Sequence, residues 1–96
     1  MPYCTTIYEA SQHNDVTKIQ ELLFKGIDPN CCEDDANVTP LHYAAQGNAY
    51  EAALLLITAG ASLHSETSDG YTPLEIAKLN NNKKMITLFN KMMLFK

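Results

Sequence analysis

An all-α repeat solenoid, three helix-turn-helix units joined by short β-turn or hairpin loops, is the fold class the sequence predicts, and three observations predict it. The run Thr39-Pro40-Leu41-His42-Tyr43-Ala44-Ala45-Gln46-Gly47, followed by the apolar block Ala52 to Ile57 and by Gly60-Ala61, reads as two short helices and a glycine stop. Thr72-Pro73-Leu74-Glu75-Ile76-Ala77 repeats the opening of that run further along the chain. Leu22-Leu23-Phe24-Lys25-Gly26-Ile27-Asp28 matches Leu56-Ile57-Thr58-Ala59-Gly60-Ala61-Ser62 at nearly the same spacing in the other direction, the acidic loop before Thr39 holding one inserted residue. A fixed period of this size belongs to stacked supersecondary units, each of which hides its apolar face only against a neighbour.

The first unit, about residues 5–30, shows Thr6-Ile7-Tyr8-Glu9 in place of the Thr-Pro-Leu-His opening. Ile7, Ala10, Val16, Ile19, Leu22 and Leu23 recur at helical spacing and should face the second unit, while Gln12, Asp15, Lys18 and Glu21 leave a polar face for a cap. Cys31 to Val38 form an exposed loop in which Glu33, Asp34 and Asp35 repel one another and stay in water, or meet a basic partner. In the second unit, about residues 37–63, Thr39 is the N-cap and Pro40, with its fixed φ and no N–H to lose, fits the first turn. Ala44 and Ala45 leave room for a second helix, Asn48 adopts the left-handed turn, and a helix from about Tyr50 to Ala59 follows. Leu54, Leu55, Leu56 and Ile57 make that helix apolar almost all round, as an inner repeat requires.

The third unit, about residues 70–91, replaces the histidine by Glu75 and the second alanine by Lys78, and should be the C-terminal cap. Ile76, Ala77, Met85, Ile86, Leu88 and Phe89 form its inward face. The apolar end, Met92-Met93-Leu94-Phe95-Lys96, is expected to pack back over this helix pair rather than to contact a partner.

Thr-Pro-Leu-His-x-Ala-Ala, recurring with a period of about 33 residues, resembles the ankyrin family, and the resemblance covers most of the chain, from about Thr5 to Asn90. It implies that residues 1–96 form a single ankyrin repeat domain that binds another protein through a concave surface of loops and first helices. It also implies that His42 hydrogen-bonds with Thr39 and neighbouring backbone, tying repeats together rather than acting as a base. The positions that vary for binding in the family fall here on Asp35, Ala36, Val38, Gln46 and Gly47, then on Ser68, Asp69, Tyr71, Leu79 and Asn80, with Gln12 and His13 in the degraded first repeat. Asn30 and His64 end equivalent segments of a kind that family members can carry hydroxylated.

Charge bounds the partner. All eleven Asp and Glu lie at or before Glu75, with only Lys18 and Lys25 among them, whereas five lysines and no acid follow. A basic partner surface suits the acidic part. No arginine occurs, which argues against nucleic acid, since phosphate and base-edge recognition lean on the bidentate guanidinium. The start of the chain has no secretory pattern, and Ala52 to Ile57 falls far short of the roughly 20 apolar residues that span a bilayer, so a cytoplasmic monomer is expected.

Cys4, Cys31 and Cys32 are an odd set, and adjacent cysteines bridge each other only with strain, so all three are expected as reduced thiols. His13, His42 and His64 raise the question of zinc, but cysteine ligands normally come as two pairs at short spacing and no second pair exists. No phosphate loop, nucleophile signature or cofactor motif appears, so no catalytic residue, metal or cofactor is expected. The sequence therefore points to a non-enzymatic protein–protein interaction module. A regulatory or inhibitory subunit, a host-directed effector, or a fragment of a longer array are the alternatives.

Overall fold

The structure, a computed structural model, describes residues 3–32 and 36–94. Its six helices are α1 (Tyr3–Gln12), α2 (Val16–Phe24), α3 (Pro40–Gln46), α4 (Tyr50–Thr58), α5 (Pro73–Leu79) and α6 (Lys83–Leu94). No strand occurs among the described residues. Each odd-numbered helix pairs with the one that follows it. The first helices α1, α3 and α5 stack in one layer, and the second helices α2, α4 and α6 stack in the other.

Local chemistry sets the boundaries. Thr39 and Thr72 have extended backbone, and their hydroxyls accept from the N–H groups of His42 and Glu75, whose own side chains accept from the cap N–H. Both helices therefore open with a reciprocal capping box, and proline follows at the first position of each. Asn14, Asn48 and Asn81, one per unit, turn each first helix into its second with φ of 59°, 60° and 56°. Asparagine tolerates this left-handed region better than other residues with a Cβ. Asn14 has a second use, because α4 has no side-chain cap of its own. Asn14 Oδ1 accepts from Ala52 N at 2.8 Å and Nδ2 donates to Glu51 Oε1 at 3.0 Å, so the first unit caps a helix of the second.

The layers meet through small side chains. Ala44, Ala45, Ala49, Ala52, Ala53 and Ala77 are fully buried, and Ile7, Ile19, Leu41, Leu56, Met85 and Phe89 fill the space between them. Leu56 is covered completely, whereas Leu55 and Ile57 are half-buried and Leu54 is exposed. The inner helix is thus open along its back, where no third layer exists.

Two further expectations are corrected. The apolar end packs only in part: α6 continues to Leu94, Met92 packs against the core and Leu94 is 82% exposed. Phe95 and Lys96 lie outside the described residues. Cys4 and Cys31 are not free thiols but a disulfide, their Cα atoms 5.7 Å apart, and only Cys32 is left free. Strain rules out a bond between adjacent cysteines, but Cys31 has a partner 27 residues away, which the return of the loop beneath α1 brings within bridging distance.

Truncating Leu56 to alanine should cost roughly 2–5 kcal/mol, because a fully buried side chain between stacked units leaves a cavity that the helices close only in part. Urea melts of the two proteins measure it. A loss below about 1 kcal/mol would contradict the burial of Leu56.

Candidate interaction groove

His42 organises the surface between the second and third repeats. Tyr71 O can only accept and the Thr39 N–H can only donate, which fixes the histidine tautomer. Nε2 carries the proton and donates to Tyr71 O at 2.8 Å, while Nδ1 accepts from Thr39 N at 3.0 Å and lies 2.8 Å from Thr39 Oγ1. Both ring nitrogens are therefore committed to neighbouring structure. Burial holds the imidazole pKa below its ordinary 6.5, only partly opposed by the backbone of Tyr71 and Ser65. A neutral ring with no free nitrogen is a tie, not a base.

The loop that this tie secures is a tight turn. Thr67 N donates to Tyr71 O at 2.9 Å, Gly70 N donates to Thr67 O at 2.8 Å, and Gly70 has φ 87°. Asn37, one repeat before Gly70, takes a positive φ at the equivalent place in the preceding loop. Ser68 N donates to Ala36 O at 2.8 Å, so the two loops are joined edge to edge. On the helical side, Asn80 Nδ2 reaches back to the last carbonyls of α3, Ala45 O and Gln46 O, each at 3.4 Å.

Between these contacts lies a groove of about 410 Å³. It brings together eight of the twelve predicted positions: Ala36, Val38 and Gln46 from the second repeat, and Ser68, Asp69, Tyr71, Leu79 and Asn80 from the third. His42, Tyr43, Thr67 and Ile76 complete the lining and were missed by the sequence reading. Tyr43 and Ile76 lie one turn before Gln46 and Leu79 on the same helix faces, a spacing that the sequence does contain. Tyr71 is 42% exposed and Leu79 68%, so the groove offers apolar surface at its mouth. Among its described lining residues Asp69 is the one carboxylate, and no lysine faces it.

The remaining predicted positions lie elsewhere. Asp35 and its neighbour Asp34 are outside the described residues. Gly47 is exposed but lies against the end of α1, where any Cβ would collide with the Gln12 carbonyl, so its glycine serves packing. Gln12 is half-buried at that contact, and His13 lines a smaller hollow on the outer side of the first repeat with Thr6, Glu9 and Lys18. No group of three or more His, Cys, Asp or Glu among the described residues is placed to hold a metal ion. No described helix is long and apolar enough to cross a membrane.

Residues 7–92 match the family model for ankyrin repeats in three copies. A segment of the mouse (Mus musculus) 2-5A-dependent ribonuclease is 41% identical over 73 residues, and one of the potassium channel GORK of Arabidopsis thaliana is 40% identical over 85. These matches cover 76% and 88% of this chain but only 10% of each relative. The ARF GTPase-activating protein Git of Drosophila melanogaster is 44% identical over 61 residues, 62% of this chain and 8% of that protein. The chain thus spans about a tenth of the length of these relatives, whose names differ in activity.

Replacing His42 by alanine should lower stability by about 1–3 kcal/mol, since it leaves buried Thr39 and Tyr71 groups without their partner. Its depressed pKa also sets a pH dependence. The unfolded ring takes up a proton near its ordinary pKa and the folded ring resists it, so the stability His42 contributes is complete above about pH 6.5. It is lost as pH falls from there toward the lower native value, by at most about 1.4 kcal/mol per pH unit for one proton. Urea melts from neutral to mildly acidic pH should show this loss in the wild type and a smaller one in His42→Ala. Equal slopes would mean that His42 titrates normally in the fold.

Proposed function

The chain belongs to the ankyrin-repeat family, and on that premise we propose that it is a non-enzymatic protein–protein interaction module that holds a partner protein in the groove between its second and third repeats. The observation that carries this reading is the convergence of Tyr71, Leu79, Asp69, Gln46 and Asn80, from two loops and two helices, on one groove. Members of this family are generally protein-interaction modules, and the stacked first helices and loops are a rigid surface for one. The chemistry of the groove suits a segment that presents an apolar side chain to Tyr71 and Leu79 and a cationic one to Asp69. Glu33, Asp34 and Asp35, next to Ala36 in sequence, extend the same preference.

The reading takes the protein to be monomeric and cytoplasmic, and it involves no nucleic acid, membrane or cofactor. The ribonuclease, channel and GTPase-activating names belong to relatives of which this chain matches a tenth or less, so none of those activities is assigned to it.

Affinity capture followed by mass spectrometry supplies the partner, and binding kinetics then test the groove. Tyr71→Ala should raise the dissociation rate by about tenfold or more, as loss of an aromatic anchor does. Asp69→Lys should slow association and flatten its dependence on salt, because an exposed charge acts mainly by steering. Both variants should melt within about 2 °C of the wild type, since neither side chain enters the core. Unchanged kinetics in both would move binding to another surface, such as the outer layer where Phe24 stands 93% exposed.

A further inference from the structure

We propose that the Cys4–Cys31 disulfide is a reversible clasp for the first repeat, made and opened by thiol–disulfide exchange with glutathione, and that it replaces the histidine tie this repeat lacks. The two repeats can be compared position by position. Tyr8 stands one repeat before His42, and Cys31 stands one repeat before Ser65, the residue whose backbone His42 also meets. In the second repeat an imidazole closes the helix onto the following loop. In the first, the Tyr8 hydroxyl donates to Cys31 O at 3.3 Å, and the disulfide lies beside it. The first repeat also has no Thr-Pro opening.

The clasp encloses nearly the whole repeat. Cys4 is in the first turns of α1 and Cys31 follows the loop after α2, so the bond joins positions 27 apart with both helices between them. Tyr8, which is stacked on Tyr43 with ring centroids 4.5 Å apart, passes this restraint to the second repeat.

The two sulfurs differ in access. Cys4 is 3% exposed and Cys31 half-buried at the edge of a loop, which directs an incoming thiolate to Cys31. Attack there forms a mixed disulfide between glutathione and Cys31 and expels Cys4 as a thiolate. A second glutathione thiolate releases Cys31, leaving two protein thiols and one oxidised glutathione. Closure is the reverse, with oxidised glutathione taking the two electrons. Cys32, exposed and within 3.5 Å of Asn37 Oδ1, is left outside the pair.

The test equilibrates the full chain in glutathione buffers from fully oxidised to fully reduced, alkylates free thiols and reads them by mass. The oxidised protein should carry one modification, an alkyl group or a mixed disulfide with glutathione on Cys32, and the reduced protein three alkyl groups. Cys32→Ser should carry none and two. In parallel, trypsin should cut after Lys18 and Lys25 on the order of a hundredfold faster in the reduced protein, the ratio expected when a loop of this size loses its cross-link. Cleavage after Lys83 and Lys84 should change much less. Cys4→Ser should be cleaved like the reduced wild type in every buffer; should it fail to fold, the wild-type comparison alone decides. Three adducts in oxidised buffer, a bond that includes Cys32, or equal cleavage after Lys18 and Lys25 in both states would overturn the proposal.

Discussion

Three helix pairs of this length have no shared centre for large side chains, so each pair must bury its inner face against the next, and alanine sets how closely they approach. Ala44, Ala45, Ala49, Ala52, Ala53 and Ala77 are fully buried where helices of one unit meet each other or the next unit. Larger residues enter only where the layers leave space, as Leu56 and Phe89 do. Gly47 is the limit of the same constraint, since the end of α1 leaves no room there for even one carbon. The apolar gain of each unit thus exists only while its neighbour is in place, which makes three units behave as one cooperative body.

Directional contacts then fix what close packing leaves loose. Asn14, His42, Asn80 and Asn30 each reach across a repeat boundary to backbone groups: Ala52 N, Tyr71 O, the end of α3, and Gly60 O with Ser62 N. Helix ends and tight turns carry unpaired N–H and C=O groups that must find partners, and here a neighbouring unit supplies them. Adding or removing a repeat therefore changes both the apolar contact and the polar accounting of the unit beside it.

The groove follows from this bonding. His42 holds Tyr71 O, and the Ser68 N–H holds Ala36 O, so the loops stand as a fixed wall opposite Gln46, Leu79 and Asn80. Tyr71 shows the division of labour: its backbone is spent on the tie, which leaves its ring exposed at the mouth of the groove. A rigid aromatic on a bonded loop loses little freedom on binding, and that is the physical ground for assigning it the anchoring role.

The sequence by itself determined the period, the family, the caps and the turns, because these depend on neighbours a few residues apart. Thr39 and Thr72 as caps, Pro40 and Pro73 in the first turns, and Asn14, Asn48 and Asn81 as left-handed turns all follow from the geometry of single residues. Eight of the groove's residues could be named because the family resemblance singles out the loop before each Thr-Pro pair and the exposed end of the helix after it, and the structure brings those together. Tertiary structure decided the rest. Whether Cys31 has a partner depends on how the loop returns to α1, and spacing cannot say that two residues 27 apart lie within bond reach. The exposure of Leu54 and Leu94, inside runs that read as uniformly buried, depends on how many layers the fold has. The cross-boundary roles of Asn14 and Asn80 arise only once two units are stacked, because each side chain bonds to backbone a full repeat away along the chain.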